Sequence, residues 1–217
     1  MTTKQINPAP RQDNQDPALF GQTPSQTVGP FFHYGLPWKG CADLVGDSDI
    51  GARVELFPEA NYVLNTPSSK GEVSGEVITL EGLVTDGAGQ PVPDAMIEIW
   101  QADATGRYAD GSSNTGFIGF GRASTGDDGV YRFRTVRPGP VDGQQAPHIA
   151  VSVFGRGLIK RLATRVYFDG ETTNAADPIL ALVPAERRDT LIAKPLDGAW
   201  RFDIALQGER ETVFFDI

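Results

Sequence analysis

The stretch Glu76-Val77-Ile78-Thr79-Leu80-Glu81-Gly82-Leu83 shows the alternating pattern from which the fold class is predicted. Its residues fall into two alternating sets, as on the two faces of a β-strand. Six further short runs are rich in β-branched and aromatic residues and are bounded by Gly, Pro or Asp. They span residues 96–100, 130–134, 148–154, 164–168, 200–206 and 212–215. The chain is therefore predicted to be all-β, with an antiparallel β-sandwich core.

Helical signals are weak by comparison. Only Pro184–Ile192 has a good helical pattern, in which the proline can open the first turn. It is predicted to be a short helical decoration. The glycines of Gly87-Ala88-Gly89 are followed by prolines and not by a helix, so this segment is interpreted as a turn between strands and not as a phosphate loop. No Gly-x-Ser-x-Gly elbow occurs, which makes a hydrolase a poor interpretation.

The character of the chain changes along its length. Residues 1–20 are polar and dotted with proline, as in a mobile tail. Residues 21–75 contain aromatic and apolar side chains without sustained alternation, which indicates an N-terminal arm that buries them against its own domain or a partner. We expect this arm to contribute to a cleft and a subunit interface. Residues 76–217 are predicted to form the sandwich.

Composition narrows the possible functions. The 217 residues are 40% hydrophobic and carry a formal net charge of −9 with a pI near 4.7, as expected for one soluble globular domain. This charge argues against nucleic-acid and anionic-membrane partners, although one local arginine could still bind an anionic aromatic acid. The single cysteine, Cys41, cannot form an internal disulfide, and no apolar run is long enough to span a bilayer. A cytoplasmic protein is expected.

Two blocks of sequence resemble the intradiol ring-cleaving dioxygenases. Thr23–His33 (Thr-Pro-Ser-Gln-Thr-Val-Gly-Pro-Phe-Phe-His) resembles the N-terminal arm of that family. The second block is nearly collinear with the family sandwich. It comprises residues 81–86, 100–103, 106–108, 128–133, 147–149 and 201–204. Segments 154–157 and 208–216 resemble the alpha subunit of the two-subunit members, which pairs with a homologous beta subunit.

The resemblance implies an activity for the assembly. Ferric iron, Fe(III), would be held by the beta subunit, and O2 would cleave 3,4-dihydroxybenzoate between its hydroxylated carbons to give 3-carboxy-cis,cis-muconate. The family's metal ligands fall, position by position, on Tyr108, Val141, His148 and Ala150. Val141 and Ala150 have no donor atom, and two remaining candidates are too few to retain ferric iron. The resemblance therefore implies a subunit with vestigial ligand positions, which binds no metal and has no catalytic residue by itself.

The two surviving ligand candidates also have ordinary interpretations. A histidine in an apolar strand, such as His148, is more often a hydrogen-bonded packing residue than a ligand. Tyr108, after a Gly-Arg turn, is expected as a half-buried aromatic with a satisfied hydroxyl.

Substrate contacts are expected elsewhere in the chain. Arg156 lies between two glycines just past a strand end, where a ligand or another chain can approach closely, although an isolated surface arginine is equally ordinary. By resemblance it faces the substrate pocket across the subunit boundary, where its guanidinium can attract a carboxylate. Thr27, Gly29 and Pro30 match a wall of the same cleft in the family, although by themselves they are typical of a plain turn. The cleft is thus expected to be built from two chains.

One alternative belongs to a different class: a non-catalytic β-sandwich module for binding or assembly that keeps the family fold. The arm distinguishes the two hypotheses. An arm ordered only against an iron-binding chain favours the enzyme subunit, and an arm that folds back and fills its own pocket favours the module. An active homomeric iron enzyme is disfavoured by Val141 and Ala150.

Overall fold

A computed structural model of the chain describes residues 25–32, 41–46, 48–52, 73–109 and 116–216. These residues contain nine β-strands and only short 3-10 helices, which confirms the predicted all-β class. The strands are β1 (Val77–Thr85), β2 (Met96–Gln101), β3 (Phe120–Ser124), β4 (Val130–Val136), β5 (Ile149–Phe154), β6 (Leu162–Phe168), β7 (Ile192–Leu196), β8 (Ala199–Arg201) and β9 (Ile204–Ala205).

The strands pair in the order β3-β2-β5-β6-β7-β8-β1-β4, with β9 beside β1. Strands β3, β2, β5 and β6 form an antiparallel half. The pairing is mixed elsewhere, because β7 runs parallel to β6 and both β8 and β9 run parallel to β1. The long connection between β6 and β7 makes this possible, since parallel neighbours need a crossover and not a tight hairpin.

The core lies between the two halves of the sheet order. Alternate residues of β1, including Ile78, Leu80 and Val84, are buried there together with Ile97, Ile99, Val151 and Val153 from β2 and β5. The buried large side chains Tyr131 and Phe133 of β4 belong to the same cluster. The alternation seen in the sequence of β1 is therefore the alternation between core and surface.

Part of the predicted arm packs against its own sandwich. Residues 41–46 lie between β3 and β4, the two end strands of the order. The amide N of Arg122 in β3 donates to the carbonyl of the first residue of this segment at 2.9 Å, and the amide N of Arg134 in β4 donates to the carbonyl of Ala42 at 2.9 Å. Ala42 and Leu44 are buried in the core. The segment thereby covers strand edges that are otherwise open to pairing.

The boundaries predicted at residues 1–20, 21–75 and 76–217 stay predictions. The tail and His33 lie outside the described residues, as do residues 33–40 and 53–72 of the arm.

Three strand predictions need correction. Strands β3 and β7 were not predicted, since β3 contains Gly121 and Arg122 and β7 contains Pro195, which weaken the sequence pattern. Residues 212–215 form no strand, and only Phe215 makes an isolated bridge, to Ala163 in β6.

The run predicted at 200–206 is divided into β8 and β9 by a close crossing over β1. A Cβ on Gly82 would lie 1.7 Å from the carbonyl O of Phe202, so only glycine allows this approach. The Asp203 carboxylate then accepts the amide of Leu83 at 2.8 Å. This side-chain bond takes the place of a ladder hydrogen bond at the break.

The predicted helical decoration is confirmed as a 3-10 helix, Ala185–Leu191, with Pro184 as its N-cap residue. Two shorter 3-10 helices, Thr172–Ala176 and Leu180–Leu182, precede it. All three belong to the connection that carries the chain from β6 to β7.

A buried hydroxyl fastens β4 to the crossing segment. Tyr131 is buried, and its hydroxyl donates to the carbonyl O of Phe202 at 2.6 Å. We expect Tyr131→Phe to lower the free energy of unfolding by about 1–2 kcal/mol, because a buried carbonyl loses its partner. Urea-induced unfolding checks this value. Tyr108→Phe is the control, since the Tyr108 hydroxyl makes only a 3.5 Å contact; equal losses in both variants would contradict the assignment.

Candidate functional site

Two interlocked turns position Tyr108 and Val141. Gly106, two residues before the tyrosine, has a φ of +82°, and a Cβ there would lie 1.9 Å from the carbonyl O of Pro140. A Cβ on Gly139 would in turn lie 2.5 Å from a carbonyl O of the first turn. Backbone packs directly on backbone here, which explains why both turns carry glycine. The two motifs, separated in sequence, are thereby brought into contact.

His148 lies in the interior, just before β5, with 2% of its surface exposed. Its Nδ1 is 2.8 Å from the carbonyl O of Ala146, which can only accept, so Nδ1 carries the proton. Burial lowers the pKa of His148, opposed by this carbonyl, so the ring is neutral and Nε2 is an acceptor. Nε2 lies 3.5 Å from the hydroxyl O of Tyr108. The two surviving ligand candidates therefore face each other.

Tyr108 is half-buried and stacks on Trp100 of β2, with ring centroids 5.8 Å apart and planes 14° from parallel. Burial raises the pKa of its hydroxyl, and the nearby Arg165 partly offsets this rise. A neutral phenol is the consequence at physiological pH, since the unperturbed value is already near 10. The aromatic interpretation of Tyr108 agrees with this environment.

A row of three side chains crosses the sheet beside these residues. In the register of the strands Ala150 of β5 is paired with Trp100 of β2 on one side and with Arg165 of β6 on the other. Directly opposite residues point to the same face of a sheet. The guanidinium Nη1 of Arg165 donates to Oε1 of Gln145 at 2.8 Å. Sequence reasoning missed Arg165, although a charged residue inside the apolar run Leu162–Phe168 is a usable signal.

Tyr108, Val141, His148 and Ala150 form the remnant site. Val141 is buried and, like Ala150, offers no donor atom. No group of three or more His, Cys, Asp or Glu side chains with the spacing of a metal site occurs among the described residues. The donor set does not fit ferric iron, which takes anionic oxygen donors together with nitrogen ligands.

Asp177 holds the loop that carries His148. This carboxylate is fully buried and accepts from the amide N of Ala146 at 2.8 Å and the hydroxyl of Tyr167 at 3.0 Å. It also accepts from the amides of Ile179 and Leu180, at 2.9 and 2.8 Å. No sequence pattern predicts this role, because the donors come from three separate segments.

Arg156 lies two residues beyond the end of β5 and is half-exposed, with 52% of its side chain accessible. Its Nε is paired with the carboxylate of Asp94, which is nearly buried. Among the described residues no other hydrogen bond or ion pair involves the guanidinium, so its two terminal nitrogens have no partner there. Two parallel N–H groups match a carboxylate well.

The arm reaches the same loop. The amide N of Gly157 donates to Oγ1 of Thr27 at 2.7 Å, which links residues far apart in sequence. Thr27, Gly29 and Pro30 are exposed, and the amide N of Phe32 donates to the carbonyl O of Gly29 at 3.1 Å to close a turn. The structure therefore places Thr27 beside the Arg156 loop, with Gly29 and Pro30 in the adjoining turn. We call Thr27, Gly29, Pro30 and Arg156 the arm–loop surface.

The arm–loop surface and the remnant site lie at opposite ends of β5. Ala150 is near the start of the strand and Arg156 follows its last residue, Phe154. The four-residue step from Ala150 to Phe154 alone spans about 13 Å at ~3.3 Å per residue. The arginine is too far away to act on a ligand bound at the remnant site.

The chain belongs to the intradiol dioxygenase family: the family model described as "Dioxygenase" matches residues 57–208. It is 45% identical to the protocatechuate 3,4-dioxygenase alpha chain of Burkholderia cepacia, over 90% of this chain and 98% of that one. It is 35% identical to the beta chain from the same organism, over 73% of this chain and 76% of the other. Membership of this family implies an oxidoreductase that uses non-heme iron.

A solved structure supports the fold assignment. The dioxygenase domain of a dioxygenase and carbohydrate-binding protein fusion from Streptomyces sp. SirexAA-E superimposes with a TM-score of 0.52 at 26% identity, covering 86% of this chain and 98% of that domain. The sandwich is therefore the fold of the family. Within the described part of the chain, no helix has the length and apolar character needed to cross a membrane.

Proposed function

We propose that this chain is the alpha subunit of a heteromeric protocatechuate 3,4-dioxygenase, a cytoplasmic enzyme that cleaves 3,4-dihydroxybenzoate with O2 to 3-carboxy-cis,cis-muconate. Its similarity to an alpha chain over nearly the whole length of both proteins supports this assignment. Its weaker similarity to a beta chain fits a pair of homologous subunits. A hetero-oligomer in which each active cleft uses both chains follows from the proposal.

The iron belongs, on this proposal, to the homologous beta subunit. Val141 and Ala150 provide no donor, and the two donor atoms that survive, Tyr108 Oη and His148 Nε2, face each other at 3.5 Å. The beta subunit therefore supplies the metal chemistry. This chain contributes binding and shape, and none of its residues is catalytic by itself.

The observation that carries the proposal is the arm–loop surface. Arg156 is half-exposed, and its two terminal nitrogens have no partner among the described residues, at the end of β5 away from the chain's own remnant site. Such a cation is suited to a carboxylate held by a neighbouring subunit, and 3,4-dihydroxybenzoate carries one carboxylate opposite its reacting diol. Thr27, Gly29 and Pro30 would form the adjacent wall of the shared cleft. Their part in the reaction is to orient the acid and exclude water.

Iron content and oxygen uptake test the proposal. The full chain is purified alone and after co-expression with a homologous beta-type chain, and both preparations are assayed with 3,4-dihydroxybenzoate. We expect iron and turnover only in the co-purified complex. Stoichiometric iron and activity in the lone chain would contradict the assignment of the metal to the partner.

One observation favours the second candidate, a non-catalytic sandwich module. Residues 41–46 of the arm pack into the core of their own chain, with Ala42 and Leu44 buried. This segment closes the gap between β3 and β4, however, and leaves the arm–loop surface exposed. A lone chain that forms no complex with a beta-type chain, and co-expressed preparations without oxygen uptake, would favour the module.

Asp94 is expected to position Arg156 for substrate binding. Asp94→Asn removes the charge that holds Nε, so the guanidinium loses orientation. We expect KM for 3,4-dihydroxybenzoate to rise about threefold, the size of a partly exposed ion pair, with kcat nearly unchanged. The control is Glu98→Gln, which removes a comparable ion pair with Arg122 between β2 and β3. Equal KM values for the two variants would contradict the positioning role.

A further inference from the structure

A positively charged side chain, Arg165, lies beside the remnant site. Arg165 lies directly across from Ala150, one of the two positions that lack a donor. We infer that Arg165 takes over the electrostatic place of a metal ion in the remnant site and keeps cations out of it. The inference concerns this chain alone and goes beyond the proposed enzymatic role.

The strand register places Arg165 next to the remnant site. Trp100, Ala150 and Arg165 form a row across β2, β5 and β6, on one face of the sheet. Tyr108 stacks on the first member of this row. His148 lies just before β5, and its ring centroid is 5.9 Å from that of Tyr167, which is two residues beyond Arg165 in β6. The guanidinium therefore lies near both surviving ligand candidates.

A hydrogen bond to a neighbouring side chain holds Arg165 beside the remnant site. Nη1 donates to Oε1 of Gln145 at 2.8 Å, and the charge of the guanidinium also acts on the hydroxyl of Tyr167. The hydroxyl of Tyr167 donates a hydrogen bond to the carboxylate of Asp177 at 3.0 Å. A guanidinium has only donors and keeps its charge at any physiological pH. The hydrogen bond to Gln145 therefore holds a permanent positive charge beside the remnant site.

The positive charge of Arg165 affects the pKa values of three neighbouring side chains. Burial raises the pKa of Tyr108 and Tyr167 and lowers the pKa of His148, and the charge of Arg165 is a smaller effect that acts downward on all three. The carboxylates of Asp142 and Asp177 act in the opposite direction on Tyr108 and His148, respectively. Asp177 is already occupied by four donors. A second cation placed beside Arg165 is repelled by its fixed positive charge.

The missing ligands and Arg165 are thus two separate barriers to metal binding. Restoring the ligands alone leaves the second barrier in place. Removing Arg165 as well is expected to be necessary before the site accepts iron.

Iron loading of three full-length variants tests this expectation. The first carries Val141→Tyr and Ala150→His, the second adds Arg165→Gln, and the third adds Arg165→Lys instead. Each is incubated with iron and dialysed, and bound iron is measured by elemental analysis and by the visible tyrosinate-to-iron absorption. We expect at least about tenfold more bound iron with Arg165→Gln than in either variant that keeps a cation. Equal iron content in the three variants, whether high or low, would overturn the inference.

A second measurement needs no new ligand in the core. Arg165→Gln in the otherwise unchanged chain leaves Tyr108 and His148 as donors, and Zn²⁺ binding is measured by titration calorimetry. We expect at least about tenfold tighter binding than in the unchanged chain, while Arg161→Gln, which removes an exposed arginine in the loop between β5 and β6, has no effect. Unchanged Zn²⁺ affinity in Arg165→Gln would overturn the inference. Neither experiment uses a partner chain or substrate, so failure of the proposed function leaves both readouts unaffected.

Discussion

Arg156→Ala is expected to raise KM for 3,4-dihydroxybenzoate about 10- to 100-fold in the two-subunit assembly, the loss of a charge-assisted hydrogen-bond pair worth roughly 1.5–3 kcal/mol. The reason lies in the geometry of the side chain. Asp94 holds Nε and leaves both terminal nitrogens for a ligand. The reacting atoms lie at the far side of the ring, so kcat is expected to change much less. Steady-state oxygen uptake at varied substrate concentration measures both constants.

Two comparisons separate carboxylate recognition from a general disturbance. Arg161→Ala removes an exposed arginine of the same loop that donates to Ser152 within the chain, and KM should stay unchanged. Catechol, which lacks the carboxylate, should react equally well with the Arg156→Ala assembly and the unaltered one. Arg156→Lys should recover only part of the affinity, since an ammonium cannot form the same planar pair of bonds. An unchanged KM in Arg156→Ala, with normal iron content, would remove Arg156 from the substrate site.

Asp177→Ala is expected to lower the free energy of unfolding by about 3–5 kcal/mol, because it leaves several buried donors without an acceptor. Four groups lose their partner: the amides of Ala146, Ile179 and Leu180 and the hydroxyl of Tyr167. These groups join the loop before β5, strand β6 and the second 3-10 helix. Urea-induced unfolding of the full chain at constant protein concentration measures the loss.

The matched control is Asp86→Ala. The Asp86 carboxylate also accepts backbone amides, from Ala88 and Gln90, but in an exposed turn. Water replaces a lost partner there, so the expected cost is below about 1.5 kcal/mol. Asp177→Asn should fall between the two, since one acceptor oxygen is kept. Similar losses for Asp177→Ala and Asp86→Ala would show that burial of Asp177 has little energetic weight.

The predictability of the strands follows their local sequence. Strand β1 was predicted because its alternation between core and surface is complete. Strand β3, with Gly121 and Arg122, has no such pattern and exists because β2 and the arm segment supply its hydrogen bonds. Pro195 in β7 argued against a strand, yet β7 pairs with both β6 and β8. Tertiary pairing overrides weak local preference in both cases.

In the candidate site, too, some residues could be identified from local sequence and others only from tertiary contacts. Tyr108, His148 and the emptied positions Val141 and Ala150 were identified from motifs that stay contiguous in sequence. The partners that give these residues their environment were not: Arg165, Gln145, Asp177 and Asp94 come from other strands and loops. No motif links them, because each contact depends on register or on a chain crossing.

Local sequence was enough to predict the all-β class and to show that positions 141 and 150 lack donor atoms, since periodicity and side-chain chemistry are local properties. The tertiary structure, in contrast, places Arg165 opposite Ala150 and brings Thr27 to the loop of Arg156. The fold also puts this loop and the remnant site at opposite ends of β5. Strand pairing brings together residues that are distant along the chain, and their relative positions follow from the fold as a whole.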